Sequence, residues 1–108
     1  MPKFLRTIEQ TTISAKTWSH DFNPELPEGT TLETFDAKVF GRDFTDLSAD
    51  MVEGIDEAGG IGFYRLKGGV DGTDYIVQLI GTRSDGDVRD HYLLLRIRDV
   101  VGEAPPIP

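Results

Sequence analysis

The chain has 108 residues, no cysteine, and 19 acidic against 11 basic side chains, a formal net charge of −8. Without cysteine, disulfides, thiolate nucleophiles and thiolate metal sites are excluded together, and the acidity argues against wrapping nucleic acid, whose phosphates would repel it. The length suits one domain that buries roughly 65% of the surface its unfolded form exposes, and no apolar run approaches the roughly 20 residues that cross a bilayer, so a domain in water with no membrane partner is expected.

Residues 1–12 are polar and mixed in charge and read as an N-terminal arm. A single β-sandwich domain is expected over 13–101, and a Pro-rich tail over 102–108, where proline lacks the N–H that a ladder requires. Thr17 to Phe22 alternates, with Trp18, His20 and Phe22 on one side and Thr17, Ser19 and Asp21 on the other, so the large side should face inward. The following Asn23-Pro24-Glu25-Leu26-Pro27-Glu28-Gly29 is a turn cluster that ends pairing. Thr30 to Phe40 then sets Phe35, Ala37 and Val39 against Thr34, Asp36 and Lys38, the pattern of a half-buried strand.

Residues 41–59 are the least regular. Phe44, Leu47 and Met51 have helical spacing, while Gly54 and Gly59-Gly60 interrupt any long element, so a short helical turn and a brief strand both fit. Ile61 to Leu66 alternates again and stops at Lys67-Gly68-Gly69. Thr73 to Thr82 and Val88 to Val100 flank Arg83-Ser84-Asp85-Gly86-Asp87, where Asp85-Gly86 between apolar runs signals a hairpin. In the last strand Leu93, Leu94, Leu95 and Ile97 place apolar groups on both faces. The core accounts for one face, and a segment of the same chain or a partner subunit should cover the other.

Short strands, glycine-rich connections and no alternating helices favour an antiparallel sandwich or barrel. Tyr75 follows the turn Asp71-Gly72-Thr73-Asp74 at the start of the penultimate strand. Immunoglobulin-like sandwiches carry a corner tyrosine there, its hydroxyl bonded to backbone a few residues upstream; an ordinary cross-strand tyrosine is the alternative. The expected fold is thus an all-β, immunoglobulin-like antiparallel β-sandwich with flexible arms at both ends. Trp18, Phe35, Tyr75, Asp85 and Gly86 are its structural markers.

Groups able to carry chemistry are few in kind. His20 and His91 belong to no His-x-x-x-His or Glu-x-x-His pair, and His20, on the face of Trp18 and Phe22, is expected as a core or edge histidine bonded to backbone. Asp43, Asp46, Asp50, Glu53, Asp56 and Glu57 form an acidic stretch without the order of an EF-hand loop. Asp71, Asp74, Asp85, Asp87 and Asp90 gather about turns, where aspartate caps backbone N–H groups. Gly59-Gly60-Ile61-Gly62 leads into a strand and lacks the lysine of a phosphate-binding loop. No catalytic, cofactor-binding or metal-binding residue is assigned, and no enzyme is expected.

Four segments carry a resemblance: Thr17-Trp18 to Phe22; Leu26-Pro27-Glu28-Gly29-Thr30-Thr31-Leu32; Leu66-Lys67-Gly68-Gly69-Val70-Asp71-Gly72-Thr73-Asp74-Tyr75-Ile76-Val77; and Thr82-Arg83-Ser84-Asp85-Gly86-Asp87-Val88-Arg89-Asp90 before Leu93 to Ile97. In this order the chain resembles small tailed-phage fibre-tail adaptor or accessory virion proteins with an immunoglobulin-like fold. The likeness spans residues 17–98 and departs at 41–60, which is longer and more acidic than the usual connection. The resemblance implies a virion component without enzymatic activity, made in the bacterial cytoplasm. It would stand in multiple symmetric copies against other phage tail, fibre or capsid proteins. A capsid decoration protein is the alternative within virions. From another class, a calcium- or carbohydrate-binding sandwich module remains, for which Trp18, Tyr64 and Tyr92 are the available aromatics.

Overall fold

Alternation along β3 (Leu32–Phe40) decides which side is buried: Ala37 and Val39 are sealed from solvent while Glu33, Thr34 and Asp36 are exposed. The same rule runs through β2 (Ala15–Asp21), β5 (Ile61–Lys67), β6 (Asp74–Arg83) and β7 (Val88–Ile97). The computed structural model describes residues 4–99. Two further strands, β1 (Phe4–Gln10) and β4 (Val52–Ala58), complete two sheets ordered β1-β7-β6-β3 and β2-β5-β4. β3-β6-β7 and β2-β5-β4 hold the places of the C-F-G and B-E-D strands of an immunoglobulin-like sandwich, so the all-β class expected from the sequence is the fold observed. Tyr64, Leu66, Leu79, Leu93, Leu95 and Ile97 are fully buried between the sheets.

The turns follow from their residues. Gly59 and Gly60, at φ +60° and +85°, form a two-residue hairpin loop between Ala58 and Ile61, a conformation open to glycine at little cost. What looked in sequence like part of a phosphate-binding loop is this turn. At the β6–β7 hairpin Gly86 has φ +95°, and Arg83 and Asp87 are joined by an N–H···O bond of 2.8 Å.

Three expectations need correction or refinement. Residues 4–10, read as part of an arm over 1–12, form β1, which pairs in parallel with β7. Its polar side chains are the exposed face of an edge strand, and Ile8 and Gln10 are its buried ones. Residues 41–59 hold both candidate elements in succession: a four-residue helix α1 (Ser48–Met51) runs directly into β4. The tail over 102–108 lies outside the described residues. On the outer face of the larger sheet, Leu94 lies opposite Ile76 and Ile76 opposite Phe40. Ile76, between them, is buried, while Leu94 and Phe40 are half-buried.

Candidate functional site

The ends of the two sheets bring together the chain's two histidines. His20 lies on β2 opposite Gly62, and His91 on β7 opposite Leu79, each on the inward side of its sheet. After β2 the chain turns through a single 3₁₀ turn at Asn23–Glu25, with Pro24 setting the backbone at its start. This turn carries Glu25 back over the strand it has just left. The Nε2 atoms of His20 and His91 donate to the two oxygens of that one carboxylate, at 2.8 Å and 2.7 Å. An ionised carboxylate only accepts, so both Nε2 atoms carry hydrogen in this arrangement.

The three side chains are 16–25% exposed. Burial works to raise the Glu25 pKa, but the hydrogen bonds from His20 and His91, and then their charge, outweigh it and hold the carboxyl below the ordinary carboxylate range. The imidazole centroids are 4.7 Å apart, and Phe22, fully buried, packs edge-on to His20 at 4.5 Å. Phe22 forms a rigid floor beneath the pair. The donor atoms of all three residues lie within 4.8 Å of one another, so they could ligate one cation. His20 is therefore not the backbone-bonded histidine expected. The short turn supplies a carboxylate five residues on, and the sandwich supplies the second ring from the opposite sheet.

The structural markers occupy separate places. The Tyr75 hydroxyl accepts the Val70 N–H at 2.9 Å, five residues upstream, beneath the crossing from β5 to β6. Phe35 lies over Gly62 so closely that a Cβ there would fall 2.5 Å from its ring. Asp85 receives two hydrogen bonds from the buried Arg83 guanidinium, at 3.1 Å and 2.9 Å, and one from the Asp87 N–H. Trp18 donates its indole N–H to Gln10 Oε1 at 2.6 Å, and Gln10, itself buried, donates to the Leu66 carbonyl. Gln10 thus ties β1 to the opposite sheet, a link no local sequence pattern announces.

The acidic stretch has local tasks. Asp43 accepts from the Thr45 N–H and Asp46 from the Ser48 N–H; the Thr45 N–H and then its hydroxyl hold the Asp43 carboxyl below its ordinary range, and the Ser48 hydroxyl and then its N–H do the same for Asp46. The aromatics considered for a carbohydrate platform are divided, with Tyr64 fully buried and Trp18 half-buried. Within the 41–47 loop, Phe44 stands 62% exposed at φ +66°, an unfavourable backbone conformation for an aromatic residue.

β4 forms one edge of the smaller sheet, and five of its seven residues are exposed. Ile55 is 42% exposed there between Glu53 and Asp56. A shallow groove of about 570 Å³ runs beside it over Thr17, Asp56, Phe63 and Arg65. No helix among the described residues is long and apolar enough to cross a membrane. No protein-family model matches the chain, and no curated protein matches it significantly.

Proposed function

We propose that this domain is a non-enzymatic bacteriophage virion protein, an adaptor that joins tail or tail-fibre components through the free edge of β4. The observation that carries the reading is that edge. β4 presents unpaired backbone groups and an exposed Ile55 flanked by carboxylates. An added strand from a partner would gain main-chain hydrogen bonds on such an edge, while side-chain pockets set specificity. Ile55 and Phe63 offer it apolar contact, and Asp56, beside a Glu53 already paired with Arg65 at 2.9 Å, favours a strand with basic residues. The same carboxylates discourage pairing of two β4 edges from identical chains, since like charges would meet. The resemblance of residues 17–98 to tail adaptors supports the same role, with the partner a neighbouring virion protein.

The test is co-purification of the chain with the products of adjacent virion genes. Wild type should retain a tail or fibre protein, and Ile55→Lys should lose it while keeping its melting temperature. Retention by Ile55→Lys together with Asp56→Lys would remove β4 from the interface.

A further inference from the structure

The geometry points to a divalent transition-metal site formed by His20, Glu25 and His91, with zinc as the occupant these donors fit. The inference is independent of the adaptor role. Two imidazoles and one carboxylate are the donor set of many zinc sites with one open position. Hard cations such as calcium and magnesium instead prefer shells made wholly of oxygen.

The present arrangement is close to what an ion requires. Zinc bound at about 2.0–2.2 Å to nitrogen and oxygen sets neighbouring donors about 3.3 Å apart in a tetrahedron. The observed nitrogen–oxygen separations are 2.8 Å and 2.7 Å. Binding therefore needs these contacts to open by about half an ångström and any wider separation, up to the 4.8 Å that encloses all three donors, to close toward the same spacing, both by side-chain rotation. Each neutral ring would carry its hydrogen on Nδ1 in place of Nε2, leaving Nε2 free to ligate. The fourth position faces solvent, consistent with the 16–25% exposure of the three side chains.

The placement also gives the ion a task. His20 comes from β2 and His91 from β7, in opposite sheets, while Glu25 sits 66 residues from His91 in sequence. An ion held by all three would clamp the sandwich at the end that carries the β6–β7 turn. Cysteine-free, the chain has no disulfide to do this.

The experiment uses the full chain, stripped with a chelator and titrated with zinc chloride at pH 7.5 by calorimetry. Cobalt(II) is substituted in parallel to report coordination by its visible spectrum. The expected result is one ion per chain and the visible bands of four-coordinate cobalt. The melting temperature should rise by on the order of 10 °C at a hundredfold excess over Kd. Glu25→Gln and His91→Gln, each checked for native circular dichroism, should weaken binding by at least about 100-fold. Absence of saturable binding by wild type up to 1 mM zinc would overturn the site, a reading that requires no variant to fold. Unchanged affinity in folded His91→Gln would overturn it as well, assigning the ion to surface carboxylates.

Discussion

Two tyrosines separate a hydrogen bond that stabilises this fold from a hydroxyl that does not. The Tyr75 hydroxyl accepts the Val70 N–H at 2.9 Å, and Tyr75 is 5% exposed. Tyr75→Phe deletes the acceptor and leaves the N–H without its partner. The net loss of one such bond is about 1 kcal/mol, rising toward about 3 kcal/mol where the orphaned group is sealed from water. Val70 itself is 64% exposed, so water can reach the freed N–H and the expected cost is about 1 kcal/mol. For a domain of this size that is a fall of roughly 4–8 °C in melting temperature.

Tyr64 is the reverse case. It is fully buried, and its hydroxyl has no hydrogen-bond partner among the described residues. Burial pushes its pKa above the ordinary value, and Arg6 pulls the other way. The guanidinium instead donates to the Ser19 carbonyl at 3.2 Å. Tyr64→Phe removes an unsatisfied buried group and should be neutral or stabilising by up to about 1 kcal/mol. Urea denaturation of both variants, compared at equal m-values, measures the contrast. Equal destabilisation by the two changes, or no effect from Tyr75→Phe, would refute the assignment of the corner.

Three other outcomes follow from the same contacts. Gln10→Met keeps volume but strips the Trp18 indole of its acceptor; the urea midpoint should fall by the equivalent of about 2 kcal/mol, with a shift in emission of the single tryptophan. Phe44→Asn relieves a left-handed backbone at an exposed position and should stabilise the isolated domain by about 1 kcal/mol in thermal melts. The Arg83 hydrogen bonds, followed by the Asp87 N–H, hold the Asp85 carboxyl below its ordinary 3.8. Its contribution is therefore complete above that value and is lost as pH falls through the lower folded-state pKa. Denaturation midpoints taken from pH 7 down to pH 3 should decline less steeply in Asp85→Asn than in wild type.

What the sequence disclosed is what local alternation and turn chemistry encode. Trp18, Phe35 and Val39 declared their faces because side chains on a strand alternate, and Asp85-Gly86 declared its hairpin because few residues accept that turn. Tyr75 was placed by its position after a turn, a pattern short enough to see in one stretch. β1 escaped notice because an edge strand buries only Ile8 and Gln10 among exposed polar residues. Its parallel pairing with β7 depends on the far end of the chain. β4 stayed open between a helical turn and a brief strand for a related reason: exposed on both faces over most of its length, it shows no alternation. The His20–Glu25–His91 cluster lay beyond any spacing rule, since it needs two sheets packed face to face and a turn that reverses onto its own strand.

Electron cryomicroscopy of intact virions, with mass spectrometry of the same particles, tests the adaptor role most directly. Density for the sandwich is expected at the tail junction or fibre base, with a neighbouring chain laid along β4. Absence of the chain from the particles, or its density on the capsid shell with β4 free, would contradict that role.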